Sequence, residues 1–303
     1  MNAKDLKGNL FLLVATIIWG CTFVAQDIAA DIIGSFEFHT VRTLIGAIVL
    51  IPVILVADRI KKANNTYTKP TKADNRNLII GGIVCGACHC TAACLQQGGM
   101  VLGTEPGKAG FITAMYIIFV PIIGLFLKKK IQPHIYACIA LAIGGLYLLC
   151  VKNGFSIEFS DIVTLLSALL FAFHITSIDI FVQKTDCIKL SCLQFVVSGL
   201  LASIMTFIFE GGFHPDLIVK AIGPILFAGV ISCGVAYTFQ VIGQKFSSSS
   251  TVASLIMSFE SVVATIAGAI ILKQMMSGRE LVGCVLMFIA IILSQVDIKL
   301  LKH

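Results

Sequence analysis

The residues able to do chemistry are few, and most interrupt long apolar runs. Glu260, His89, His174 and Arg42 lie inside such runs, and Asp27 and Asp179 stand near run ends. A charge at the centre of a bilayer costs roughly 2.5–3.5 kcal/mol even on the gentlest scale, so an ionisable residue there is typically functional or paired. Glu260 could exchange a proton or sit protonated or hydrogen-bonded in the core, and the histidines could hydrogen-bond or titrate. Arg42, Asp27 and Asp179 read as structural charges: Arg42 could pair with Asp27 or helix carbonyls, and the two aspartates could reach headgroup water. Trp19 and Tyr116 suit a cavity wall or ordinary packing. Cys85-Gly86-Ala87-Cys88-His89 spells the c-type haem string. It falls in mid-helix rather than in an extended exported segment, so no haem is expected. Cys85, Cys88 and His89 share a helix face and could offer three ligands to a soft cation, whereas Cys90 and Cys94 point elsewhere. The stretch 103–110 resembles a phosphate loop but is one residue short and has Ala109 after Lys108. ATP-driven transport therefore has no support, and no cofactor or resident metal is expected. The 11 cysteines mostly lie within apolar runs and read as small apolar side chains rather than as disulfides.

The elements that must position these residues follow from composition. Of 303 residues, 57% are hydrophobic and 13% charged, with a mean hydropathy of +0.97. A soluble domain is about 25% charged, and a globule of this size lacks the interior to hide so much apolar surface. Disorder needs the opposite composition. A spanning helix takes about 20 apolar residues, and ten runs qualify: 8–26, 36–57, 78–100, 107–127, 134–151, 160–182, 189–209, 219–243, 248–272 and 280–298. They lack the alternation of barrel strands, so helices are predicted. Lys4 and Lys7 give the first run the flank of a signal peptide, but its internal counterpart at 160–182 argues for retention. The longest loop, 58–76, is too short for a soluble catalytic module.

Cytoplasmic loops collect Lys and Arg. Placing the N-terminus inside puts Arg59, Lys61, Lys62, Lys69, Lys72 and Arg76, the Lys128–Lys130 cluster and most other cations on that side. The outer side then keeps Lys108, Lys152, Lys220, Lys273 and Arg279. Both termini are expected in the cytoplasm, with the chain in the cytoplasmic membrane. The net charge of +6 is spread over many segments and implies no nucleic-acid partner.

Shifting the chain by 144 residues aligns its halves. Gln96 falls on Gln240, Gly99 on Gly243, Ala109 on Ala253, Gly124 on Gly268 and Lys129 on Lys273. A shift of 152 aligns the earlier helices, with Asp27 on Asp179 and Arg42 on Gln194. Five spans per half is an odd number, so the second half enters from the opposite side. The expected architecture is all-α: ten transmembrane helices in two inverted five-helix repeats, 1–152 and 153–303. Such folds are typical of secondary transporters, with the substrate between the repeats near the midplane. On a 100° helix Gly81, Cys85, Cys88, His89, Ala92, Gln96 and Gly99 form one stripe. Gly229, Cys233, Ala236, Gln240, Gly243 and Gln244 form another, matched position by position at the shift of 144. Both stripes should face the bundle interior, to pack helices or to line a cavity.

Several segments resemble the drug/metabolite transporter superfamily, specifically its EamA type. The first span reads "LVATIIWGCTFV" and the second carries "VRTLIGAIVL", whose Arg42 matches a frequent family arginine. Residues 95–130 resemble the family's Gln-x-x-Gly, Ala-x-Phe and Tyr-x-x-x-x-Pro signature. Residues 239–274 look like their partner, with Glu260 at the family's glutamate. The chain departs from the pattern at Ser261, where proline is frequent, and at Lys130 and Gln274, where an acid is frequent. The resemblance implies movement of a metabolite or amino acid across the cytoplasmic membrane, commonly export.

The function expected is a secondary transporter of a small polar metabolite, working by alternating access, and not an enzyme. Trp19, His89, Gln96, Tyr116, His174, Gln240 and Glu260 are the expected lining. Its partners are that metabolite and the lipid bilayer, with a proton as candidate coupling ion; homodimerisation stays open. The alternatives are a metal-ion carrier using Cys85, Cys88 and His89, or a membrane-embedded lipid enzyme, which would need an acid/base pair near an interface.

Overall fold

The computed structural model describes residues 3–104, 106–129, 131–150, 158–247, 249–271 and 277–294. Every regular element among them is helical. The first half contributes α1 (Ala3–Ala30), α2 (Ser35–Ala63), α3 (Lys72–Val101), α4 (Pro106–Ala114), α5 (Tyr116–Phe126) and α6 (Pro133–Cys150). The second contributes α7 (Phe159–Phe181), α8 (Cys187–Phe209), the short α9 (Pro215–Lys220) and α10 (Ile222–Leu226), a π-helical segment (Phe227–Tyr237), α11 (Thr238–Phe246), α12 (Ser250–Met257), α13 (Glu260–Ile271) and α14 (Gly278–Ser294). Eight described helical stretches are long and apolar enough to cross a membrane. The run at 134–151 forms the shorter apolar helix α6, and the run at 280–298 begins as α14 and passes beyond the described residues. Lys130, Lys152, Lys273, Gln274 and the 152/153 boundary also lie outside them.

The helices pack in reciprocal sets. α3 lies against α7, as the π segment and α11 lie against α1. α3 lies against α8, as the π segment lies against α2. α1 meets α12 and α13, as α7 meets α4 and α5, and α5 packs on α12, as α13 does on α4, while α2 packs on α8 and α6 on α14. Exchanging the halves leaves this set unchanged. The close approaches repeat in the same way. A Cβ on Gly99 would overlap the Thr164 hydroxyl and crowd the Ser160 carbonyl; one on Gly243 would crowd Leu12 and the Gly8 carbonyl. The pairs 99/243, 160/8 and 164/12 reproduce the shifts of 144 and 152.

One register departs from the expected match. Gly86 faces the Gln194 carbonyl and Val197, and Gly229 faces the Arg42 carbonyl and Ile45. Those partners obey the 152 shift, so Gly86 pairs with Gly229 at 143 rather than 144. The single extra residue falls within the π segment, which is how a helix absorbs an insertion without losing the faces beyond it. The position-by-position match of the two polar stripes therefore holds for Gln240 and Gly243 but not for Gly229.

α2 and α8 run antiparallel and are joined at both ends. At one end the Glu210 carboxylate accepts from the backbone N–H groups of Phe36 (2.9 Å) and Glu37 (2.8 Å), closing the start of α2. Gly34 leaves room for it, because a Cβ there would collide with Glu210. Glu37 in turn accepts from the backbone N–H and ring of His214. At the other end Lys61 pairs with Asp186 (2.6 Å) and Lys189 with Asp58 (2.8 Å). Asp186 also caps α8 through Ile188 and Lys189. Burial pushes the Asp186 carboxyl up, but the hydrogen bond from Lys61 and those backbone donors outweigh it, and its pKa lies below the usual value.

Candidate functional site

Two of the apolar runs are interrupted at equivalent points. α4 gives way to α5 at Met115, and α12 to α13 at Ser258–Phe259. At the first interruption Met115 N–H donates to the Ile112 carbonyl and Ile118 N–H to the Met115 carbonyl. At the second, Phe259 donates to Ile256 and Val262 to Phe259. These are three-residue turns that tighten a helix end, and all three positions, 112, 115 and 118, shift by 144 to 256, 259 and 262. The turn in the second half arises without proline, since Ser261 instead donates its hydroxyl to the Gly110 carbonyl (2.9 Å). Tyr116 and Glu260 each begin the helix after the turn. They meet across the centre, Tyr116 Oη donating to Glu260 Oε1 at 3.0 Å.

Around this contact lies a narrow cavity of about 40 Å³, room for a few waters and well below the small-molecule pockets of about 300–1,000 Å³, so a larger occupant requires its walls to separate. Its wall is built largely of equivalent pairs. Trp19 and Phe171, Thr22 and His174, and Phe23 and Ile175 come from α1 and α7 at a shift of 152. Gln96 and Gln240, Thr113 and Met257, and Tyr116 and Glu260 come from the other helices at 144. Gln26, Arg42, Ser232 and Tyr237 complete it.

Of the expected lining, Trp19, Gln96, Tyr116, His174, Gln240 and Glu260 are on this wall. His89 is not. It shares the α3 stripe with Gln96, but that stripe is wide enough to face two neighbours, and His89 turns to α8, where its Nδ1 meets Ser198 Oγ at 3.1 Å. Arg42 differs from expectation too. Its Nε and Nη2 reach His39 Nδ1 at 3.3 and 3.1 Å, its guanidinium lies over Phe38, and it borders the cavity. Among the described residues no carboxylate pairs with it, although it is only 3% exposed. Asp179 pairs with Lys129.

The wall combines satisfied and unsatisfied polar groups. Gln26 Nε2 donates to Gln96 Oε1 (3.2 Å) and Gln97 Oε1 (3.1 Å), and Gln96 Nε2 donates to Thr113 (3.1 Å). Trp19 Nε1, His174 Nδ1 and Gln240 Oε1 are buried without a partner, a state that normally costs free energy unless something else meets the group. The other His174 nitrogen meets Gln194 Oε1 at 3.0 Å. Tyr237, missed in the sequence, ends the π segment and packs its ring 4.8 Å from Trp19. Its place between Cys233 and Gln240 on the polar stripe is the signal that could have found it. Cys85 is buried among Ile178, Val182, Leu190 and Val241. Among the described residues the ligand atoms of Cys85, Cys88 and His89 do not gather into a metal-sized group.

Comparison with known proteins agrees with this architecture. A model of the EamA-like transporter family matches residues 6–151 and again 158–295. An "Uncharacterized transporter" of Archaeoglobus fulgidus is 26% identical over 297 residues, covering 96% of this chain and 87% of that one. The "Uncharacterized transporter YoaV" of Bacillus subtilis is 23% identical, covering 93% and 94%. A solved structure described as "Crystal structure of protein" superposes with a TM-score of 0.76 at 15% identity, over 98% of this chain and 99% of that one, a likeness of fold alone.

Proposed function

The chain belongs to the EamA-like transporter family and is a multi-pass membrane protein; from that premise we propose a secondary transporter that carries a small zwitterionic metabolite, an amino acid or a related compound. The observation that carries this reading is a central cavity walled by equivalent residues from both halves, with the Arg42 cation and the Glu260 carboxyl group both on its wall. Arg42, lacking a carboxylate partner among the described residues, suits a substrate carboxylate, in a charge-assisted and bidentate contact. Glu260 and the open Gln240 Oε1 suit an ammonium group, and Trp19 Nε1 adds a further donor.

The same halves supply the transport cycle. Ten spanning helices in two inverted repeats, divided near 152/153, would rock about the shared site to expose it to each side in turn. Support comes from the reciprocal packing, the antiparallel α2 and α8, and the paired glycine contacts. The cation bias of the loops favours cytoplasmic termini, and the family resemblance favours export across the cytoplasmic membrane. Glu260 is the candidate proton carrier, gaining and losing its proton as the cavity changes hydration.

The test is exchange of labelled amino acids in vesicles containing the purified protein. Saturable flux that falls with Arg42→Gln and with Glu260→Gln is expected. Flux absent for every amino acid tested, or unaffected by both substitutions, overturns the assignment. Proton coupling is separately overturned if Glu260→Gln leaves the pH dependence of flux unchanged.

A further inference from the structure

Away from the cavity wall, α2 and α3 bring together a second group of side chains. His39 is fully buried, and Cys90 and Cys94 are each 5% exposed. A spacing of four places the two thiols on one face of α3, a turn apart. One donor atom from each of the three lies within 4.8 Å of the other two. None of them lines the cavity. Phe36, Leu201 and Ala202 close the outer side with apolar surface.

The surroundings match what a metal-bound imidazole needs. Ser198 Oγ holds His39 Nε2 at 2.8 Å, and a ligating histidine is normally fixed in this way through its other nitrogen. Nδ1 accepts from Arg42, so both ring nitrogens are held, and an incoming ion takes the place of one partner while the other keeps the ring oriented. Bonds of about 2.0–2.3 Å to nitrogen and sulfur put the ligands of a three-coordinate ion about 3.5–4 Å apart, so sub-ångström side-chain rotations close the group.

Charge selects the ion. Two thiolates and a monovalent cation leave one negative charge, which the adjacent guanidinium of Arg42 offsets. A divalent ion would instead leave that guanidinium uncompensated in a membrane interior, an expensive arrangement. Thiolate and imidazole together favour soft ions. The geometry points to a buried site at His39, Cys90 and Cys94 that binds one soft monovalent metal ion such as Cu(I). Binding breaks two S–H bonds, forms two metal–sulfur bonds and one metal–nitrogen bond, releases two protons to solution and changes no oxidation state. Arg42 leaves His39 and turns to the new negative charge. Because Arg42 also borders the cavity, occupancy changes the charge presented there. The inference stands apart from the transport assignment and is tested without flux.

The experiment titrates the full chain in detergent, anaerobically, with Cu(I) in competition with the chromophoric chelator bicinchoninate. The wild-type chain is expected to withhold one tight equivalent. Cys90→Ser/Cys94→Ser should lose it, the control Cys187→Ser/Cys192→Ser should keep it, and His39→Gln should weaken it about tenfold or more. X-ray absorption of the loaded wild type should show two sulfurs and one nitrogen, which settles the matter even if the double variant does not fold. No tight equivalent in the wild type, an equivalent that survives loss of both thiols in a folded variant, or a metal shell without two sulfurs overturns the site.

Discussion

The two interrupted helices have the same backbone and different chemistry. α4–α5 and α12–α13 turn with hydrogen bonds at positions offset by 144, yet the first turn presents a phenol and the second a carboxyl group. The third-span helix and its partner differ in the opposite sense. α3 and α11 retain Gln96 and Gln240 at equivalent places, but the path to Gln240 passes through a π segment with an added residue. A repeated scaffold thus tolerates change in either side chain or backbone, provided that the cavity-facing positions stay in register.

The sharpest way to break this comparison is to delete one residue from each of the paired helices. Removing lipid-facing Ile83 from α3 rotates everything beyond it by about 100°, and the expected result is loss of folded, monodisperse protein. Removing Ile231 from the π segment should let it relax to an α-helix and restore a uniform offset, with folded yield and melting midpoint near wild type. Equal damage from both deletions would show that the π segment is not an absorbed insertion.

The next largest effect concerns the unequal turn residues. Glu260→Gln removes a charge-assisted partner worth about 1.5–3 kcal/mol, so ligand affinity in a thermal-shift or flux assay should fall about 10–100-fold. Tyr116→Phe removes the hydroxyl that donates to Glu260 but leaves the carboxyl group in place, and should cost about tenfold or less. The reverse order would move the binding role to the first half.

The glycine pair gives a smaller, stability-based test. Gly99→Val and Gly243→Val each force a side chain against a neighbouring helix, and overpacking costs about 1–3 kcal/mol. Both should lower the melting midpoint; a harmless substitution at one alone would show that their close contacts are not equivalent.

How much of this was legible in the sequence depends on whether a residue carries its signal alone. Gln96, Gln240 and Glu260 are polar groups in apolar runs, so position marked all three, and repetition marked the two glutamines as well. Tyr237 has only Ala93 as counterpart, and no repetition marked it. The contact of Arg42 with His39 joins neighbours on one helix face, three residues apart, but nothing in composition favoured it over Asp27. The departure of His89 toward Ser198 depends on how α3 rotates between two neighbours, which helical periodicity leaves undetermined.

The smallest expected effect lies at the rim. Asp186→Asn keeps a cap for α8 but removes the charge facing Lys61. A carboxylate held below its usual pKa contributes stability above the unfolded value, about 3.9, and loses it as pH falls through the folded value. The variant should therefore melt slightly lower at pH 7, and the difference should shrink as the pH drops below about 4. A difference that persists unchanged in acid would assign the effect to capping.

The fastening of α2 to α8 at both rims has a mechanical consequence. Helices cross-linked at the two extremities cannot splay at either end without rupturing carboxylate contacts. In the rocking cycle proposed above this couple would turn as one rigid piece, and so would α7 with the α4–α5 run, which Lys108–Asp161 and Lys129–Asp179 fasten at both ends.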